Sequence, residues 1–276
     1  MLLDRLFRFI DPDVAGPVNP VLAGYFSKVV QMLINRKQKQ IVPYIIADEN
    51  KVIEKLLKHV YSRSVAEVIH RIMHIVESNF EDDISNAISE KKQSILTALM
   101  DKLACEEEDE TVMNATFILQ DLIEQRGFFA VLTKRQNMQK MFDIAFNPDR
   151  TDMDSCFYTQ GLIMRFVQQF NDRQTKSLDS NRFDNSGDDD IIVNEISDDE
   201  NDEAKNNNNA AIVELLVKMV EPLKAILERP TQGAIPSSFN QVTVLPLGRI
   251  KLRAVELLSS ILSLKRQPVT QALADS

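Results

Sequence analysis

His70 and His74 are the residues whose types and spacing come nearest to a metal site. They lie four apart on a predicted helix and so share one face, which is a spacing that suits two zinc ligands. However, Arg71 follows His70 where a metalloprotease helix carries glutamate, and the third histidine, His59, has no acidic ligands patterned around it. We therefore predict ordinary structural or surface histidines and no metal site.

The sequence also lacks the patterns of an enzyme. Three histidines provide few general bases, no nucleophile elbow is present, and seven widely spaced glycines cannot build a phosphate-binding loop. The acidic runs at 106–110 and 198–203 are more typical of solvated faces or loops than of catalytic pairs. We therefore predict that the chain is not an enzyme, with no catalytic residues and no cofactor.

A basic cluster ends the amphipathic stretch YFSKVVQMLINRKQK at residues 25–39. Cations are favoured at a helix C-terminus by about 0.3–1 kcal/mol each, so the cluster needs no partner to be explained. The alternative is that it faces an acidic surface on a partner or an acidic segment of the same chain. The same two explanations, a structural role or a contact with an acidic surface, apply to Arg249 and Arg253. The partner-binding candidates are Asn35, Arg36, Lys37, Lys39, Arg249 and Arg253.

The negative charge of the chain is concentrated in one segment. Residues 172–209 hold twelve acidic and four basic residues, and so account for eight of the nine net negative charges. The remainder is nearly neutral, which argues against a general nucleic-acid-binding surface. The segment is rich in Asp and Asn and poor in large apolar residues, which predicts a disordered acidic loop inserted within the fold. Ser186 and Ser197 precede acidic residues there and are candidates for phosphorylation by acid-directed kinases.

These residues must be positioned by helices, because apolar residues recur at three- and four-residue steps along most of the chain. Asn19-Pro20 predicts a helix start, Ser64 and Glu67 predict a capping box, and Asn114 is interpreted as another helix start. Pro43 is expected to kink or interrupt its helix. Val242 to Leu245 is the only short run typical of a strand. Besides the helices that open at Pro20 and Ser64, helices are predicted at about 38–47, 49–60, 82–88, 91–104, 109–126, 134–146, 153–171, 210–228 and 247–264.

The predicted helices come in pairs at roughly 40-residue steps, within the range of HEAT and armadillo units. We therefore predict an all-α fold in which residues 1–276 form a single α-solenoid domain of armadillo/HEAT-like repeats, and favour it over a compact helical bundle. Cys105 and Cys156 lie far apart without a metal-type neighbour, which indicates reduced thiols. No signal-peptide core or membrane span is evident, so the expected location is the cytoplasm, with the nucleus as the alternative.

Several blocks of the sequence resemble, in order, the SAPS family of Sit4-associated proteins, which are regulatory subunits of protein phosphatase 6. The blocks Phe26-Ser27-Lys28-Val29 and Ile34-Asn35-Arg36-Lys37 match the family's FSKV and LINRK patterns. Further matches are the stretch from Leu56 to Glu77, the helix from Asn114 to Ile123, and Pro246-Leu247-Gly248 with the helix after it. Arg249 stands where the family has asparagine. Family members carry more helical sequence on both sides, so the chain is expected to be a part of the family's domain or a shortened relative.

The resemblance implies a non-catalytic helical-repeat subunit that binds a phosphatase-6-type catalytic subunit, influences its activity or targeting, and meets further scaffold subunits. Catalysis would then lie in the partner. The alternative is a generic α-solenoid adaptor for another protein, for example in transport or trafficking. Neither interpretation requires nucleic acid or a membrane span.

Overall fold

A computed structural model describes residues 2–11, 17–104, 109–146, 153–183, 210, 212–229, 235–236, 243–244 and 246–275. Apart from connecting turns and one pair of two-residue strands, the described residues are helical, so the all-α prediction is confirmed. They fall into two compact units, Met1–Asp121 and Leu122–Ser276. Among them, no helix is both long enough and apolar enough to cross a bilayer.

Within its described residues, the first unit contains seven α-helices and three short 3₁₀ turns. The 3₁₀ turns are Arg8–Ile10, Asp48–Asn50 and Glu77–Asn79. The helices are α1 (Leu2–Phe7), α2 (Pro20–Arg36), α3 (Gln38–Ile46), α4 (Val52–Lys58), α5 (Arg63–Met73), α6 (Asp82–Lys102) and α7 (Asp109–Leu122), whose last residue falls at the unit boundary.

Helix α2 begins as predicted and packs mainly against α5. The side chain of Asn19 accepts hydrogen bonds from the Val21 and Leu22 amides, and proline occupies the first helical position. The inner face of α2 buries Phe26, whose ring lies 5.8 Å from Phe7 in an edge-to-face arrangement. Burial of this aromatic cluster holds the N-terminal helix against α2.

The turn between α4 and α5, residues 59–62, is tied to two distant parts of the first unit. The buried side chain of Asn114 donates to the carbonyls of Val60 (2.9 Å) and Tyr61 (3.0 Å). The Val18 amide donates to the Tyr61 hydroxyl at 3.0 Å. The prediction that Asn114 starts a helix is therefore wrong. Asn114 lies inside α7 and is fully buried, where its amide donates to the turn.

The neutral imidazole of His59 completes this turn. Its Nε2–H donates to the Ile10 carbonyl at 3.1 Å, and its Nδ1 lies 3.2 Å from the Tyr61 hydroxyl and accepts from it. Burial lowers the pKa of His59 below its ordinary value of 6.5, and the nearby Lys58 charge lowers it further, while the bond to Ile10 acts in the opposite direction.

The second unit contains longer helices and the strand pair. Its elements are α8 (Arg126–Leu132), α9 (Arg135–Phe146), α10 (Met153–Phe183), α11 (212–218), α12 (Val220–Glu228), β1 (Ile235–Pro236), β2 (Thr243–Val244), α13 (Arg249–Ser263) and α14 (Gln267–Asp275). The strands pair antiparallel, with Ile235 opposite Val244, so the predicted strand-like run is confirmed over two residues.

Helix α10 organises the second unit through buried aromatic and polar contacts. Phe166 stacks on Phe129 of α8 with a centroid separation of 5.1 Å. The buried amide of Gln160 donates to the Ala145 carbonyl at the end of α9, and the Cys156 thiol donates to the Ile144 carbonyl. These bonds satisfy carbonyls that the C-terminus of α9 cannot pair within the helix.

Several local predictions differ from the structure. The helices predicted at 82–88 and 91–104 form one helix, α6, which ends at Lys102, since nothing between them breaks a helix. The capping box at Ser64 is wrong because α5 begins earlier, after Ser62, and Glu67 instead lies 3.7 Å from Arg63. The helix around Pro43 is not interrupted there.

Helix α10 also extends past the predicted start of the acidic insertion at residue 172. Residues 172–183 are helical because they are polar but include good helix formers such as arginine, glutamine, lysine and leucine. Residues 184–209 of the insertion lie outside the described residues, as does Cys105.

We predict that Asn114→Ala lowers the free energy of unfolding by about 2–3 kcal/mol, because carbonyls in the 59–62 turn then lose their donor. Urea unfolding followed by circular dichroism measures the effect. The control is Gln139→Ala, which removes an exposed amide that bonds only within α9. Equal stability of the two variants would contradict the role of Asn114.

We predict that His59 makes the first unit less stable in acid. The pKa is lower in the folded state than in the unfolded chain, so the unfolded state binds more protons as the pH falls. The stabilisation is present above about pH 6.5 and is lost as the pH falls from there toward the lowered value. Denaturant unfolding at pH 7 and pH 5 should show a steeper loss for the wild type than for His59→Gln. Parallel pH dependences would disprove this assignment.

Candidate functional site

Helix α2 carries a second apolar face that points to solvent. We define the α2 stripe as Leu22, Tyr25, Val29 and Met32, which are 53%, 64%, 39% and 47% exposed. The spacing of three and four residues places them on one side of the helix. On the other side of the same helix, Phe26 is buried and Leu33 is partly buried. The sequence pattern does not distinguish the buried face of α2 from the exposed α2 stripe, and only the structure separates the two faces.

The basic cluster lies at the C-terminal end of the α2 stripe. Arg36, Lys37 and Lys39 are exposed and form no ion pair with any described residue. Arg36 ends α2, where the helix dipole favours a cation. Lys39, however, lies in the first turn of α3, where the dipole disfavours one, so the prediction that all three cations sit at a helix C-terminus is wrong. Helix-end electrostatics therefore do not explain the whole cluster.

Asn35 connects the cluster to helix α5. Its side-chain oxygen accepts a hydrogen bond from the guanidinium of Arg71. Arg71 in turn lines a cavity of about 320 Å³ in the first unit. The other lining residues are Gln31, Arg63, Glu67, His70, His74 and Phe117. Asn35 thus has a structural partner, which distinguishes it from the three exposed cations beside it.

Arginine and an aromatic ring form the wall of this cavity. The guanidinium carbon of Arg63 lies 3.7 Å from the centroid of the Phe117 ring, a cation–π contact between α5 and α7. Glu67, one turn along α5, lies 3.7 Å from Arg63 and offsets its charge. The ring of Phe117 is also 5.8 Å from that of His70. The histidines are therefore packed beside an aromatic side chain at the surface.

His70, His74 and Asp121 converge at one side of the cavity. The Asp121 Oδ2 atom lies 3.0 Å from His70 Nε2 and 2.6 Å from His74 Nε2, and the two nitrogens are 3.2 Å apart. All three side chains are partly exposed. In the sequence, Arg71 follows His70 in place of the glutamate of a metalloprotease helix, and no metal site was predicted there. Asp121 is distant in sequence and is brought to them only by the packing of α7 beside α5.

Arg249 and Arg253 lie in the second unit and are engaged within it. Their guanidinium carbons lie 5.1 and 4.6 Å from the ring centroid of Phe157 on α10. Arg249 also pairs with Asp154, and Arg253 donates to Glu256 at 2.9 Å. The contacts with Phe157 and Asp154 attach α13 to α10 and give both arginines a structural role. Ser186 and Ser197 lie outside the described residues.

Comparisons with known proteins point to one family. A family model described as SAPS, SIT4 phosphatase-associated protein, matches residues 30–274. The chain is 24% identical to mouse serine/threonine-protein phosphatase 6 regulatory subunit 1 over 99% of its own length and 32% of the relative's. It is 30% identical to Xenopus laevis regulatory subunit 3-B of the same phosphatase over 44% of its length, 14% of that protein's.

A further relative, matched over a shorter stretch, is the extragenic suppressor of kinetochore protein 1 of Schizosaccharomyces pombe, 30% identical over 28% of the chain and 9% of that protein. The chain thus spans about a third of the mouse relative that it matches end to end. No solved structure matches the chain.

Proposed function

The chain belongs to the SAPS family of SIT4 phosphatase-associated proteins, and from this membership we propose that it is a non-catalytic regulatory or scaffolding subunit that binds a phosphatase-6-type catalytic subunit. The observation that carries the proposal is the family match over residues 30–274, which includes most of both compact units. The relatives are named regulatory subunits, so the chemistry would be supplied by the partner and modulated or targeted by this chain.

We propose the α2 stripe and the basic end of α2 as part of the surface that contacts the phosphatase. An apolar centre beside a charged rim is the usual anatomy of a protein interface. Tyr25 is the strongest anchor, because tyrosine is enriched among residues that dominate binding energy. A standard interface buries roughly 800 Å² on each partner, so these few side chains would form its centre rather than its whole extent.

We propose that the helices stack as an α-solenoid of armadillo/HEAT-like repeats. Successive helices joined by short turns, as in α2–α3 and α4–α5, support it because such pairs are the unit of these repeats. A compact fold of this length has a radius of gyration of about 19 Å. Small-angle X-ray scattering should give a larger value, and a value near 19 Å would favour the compact bundle.

The phosphatase proposal is tested by pull-down and affinity measurement with a purified phosphatase-6-type catalytic subunit. We expect the wild-type chain to bind it and Tyr25→Ala/Val29→Ala to bind at least about tenfold more weakly, since each buried apolar side chain contributes roughly 1.5–3 kcal/mol. Charge reversal in Arg36→Glu/Lys37→Glu should also weaken binding if the basic end faces an acidic surface, with helix content unchanged by circular dichroism.

The matched control is Lys58→Glu/Lys134→Glu, which makes the same change in net charge at exposed lysines away from α2. It should bind as the wild type does. A wild-type chain that does not bind the catalytic subunit would overturn the proposed function in favour of an adaptor for another partner. If both α2 variants bind as tightly as the wild type, the proposed function still holds, but α2 is not part of the interface.

A further inference from the structure

We propose that His70, His74 and Asp121 form a binding site for a divalent transition-metal ion of the zinc class. Two imidazole nitrogens and one carboxylate oxygen point at a common centre, with mutual separations of 2.6–3.2 Å. The site lies in the first unit and is separate from the α2 stripe. It makes no use of the phosphatase partner.

The geometry of the three atoms is close to what zinc requires. Zinc binds histidine nitrogen and carboxylate oxygen at about 2.0–2.2 Å in a tetrahedron, which separates neighbouring ligand atoms by roughly 3.3 Å. The observed triangle is only slightly tighter, so small side-chain rotations would open it to that size. In the absence of an ion, Asp121 Oδ2 accepts a hydrogen bond from each Nε2–H, and a bound ion would replace both protons.

The backbone around the histidines also favours a cation. His70 lies in the last turn of α5 and His74 immediately follows its last residue, so both sit at the negative end of the helix dipole. Of the two arginines that line the same cavity, Arg63 lies beside Glu67, which offsets its charge, whereas Arg71 donates to the neutral side chain of Asn35 and still opposes a cation. The helix dipole and the negative charge of Asp121, whose Oδ2 lies 3.0 and 2.6 Å from the two histidine nitrogens, act in favour of one.

The donor set selects the class of ion. Two imidazoles with a carboxylate suit zinc, cobalt or nickel, whereas magnesium and calcium prefer oxygen ligands alone. Three protein ligands leave a fourth position for water, and the cavity of about 320 Å³ beside the histidines has room for it. The ion would join α5 to α7, which are about fifty residues apart in sequence, and so would stabilise the first unit against unfolding.

The test uses the full chain, purified and stripped of metal with a chelator. After dialysis against Zn²⁺, elemental analysis should find about one ion per chain, and Zn²⁺ should raise the thermal midpoint where Mg²⁺ does not. His70→Ala, His74→Gln and Asp121→Asn should each weaken Zn²⁺ binding by at least about tenfold. Co²⁺ titrated in its place should give visible absorption bands in the wild type that these variants lack.

Asp83→Asn is the matched control, because it makes the same change as Asp121→Asn at an exposed position on α6 in the same unit. It should bind Zn²⁺ as the wild type does. His74→Gln and Asp121→Asn keep side-chain size, and circular dichroism checks that each variant is folded. The proposal is overturned if the folded wild-type chain binds no Zn²⁺, or if the three ligand variants bind it as well as the control.

Discussion

The first unit depends on satisfying the polar groups of one turn. Residues 59–62 run between α4 and α5, and a buried turn whose carbonyls lack donors costs as much as several lost hydrogen bonds. Asn114 supplies the donors from α7, and His59 and Tyr61 extend the network to the segment before α2. Three stretches of chain that share no local sequence relation are thereby held in one arrangement. Asn114 lies on α7, the helix that also carries Asp121, so the network contributes to holding that helix beside α5.

The helices could be predicted from sequence because their signals are local. Apolar periodicity and the Asn19 cap act within a few residues, and the structure reproduces them. One error arose where a distant contact decides the outcome. Asn114 resembles a helix-starting residue because asparagine favours helix ends, but the demand of the 59–62 turn places it inside α7. Residues 172–183 are an error of a different kind. Their polar and charged composition predicted a loop, but the helix propensity of these residues is high enough for α10 to continue through them.

The candidate site was predictable only where its residues are contiguous. The basic cluster is visible in the sequence because Arg36 and Lys37 are neighbours, although their relation to two different helices is not. The α2 stripe was hidden because a helix with apolar residues on two faces has nearly the same periodicity as one with a broad single face. The pairing of Asp121 with the histidines has no sequence signal, because it depends on how α7 is placed. Arg249 was predicted only as a partner-binding candidate, and its contacts with Phe157 and Asp154 could not be inferred because they depend on how α13 packs against α10.

The exposed α2 stripe also has a consequence for the abundance of this protein in the cell. Apolar side chains such as Tyr25 and Met32, exposed together on one helix, form a surface that associates with other exposed apolar surfaces. Proteins that expose such surfaces are substrates of chaperones and proteases. On the proposed role of the stripe as a partner contact, a chain made in excess over that partner would be cleared or would aggregate. The abundance of the chain would then follow that of the proposed partner, with the stoichiometry of the complex enforced by degradation rather than by matched synthesis.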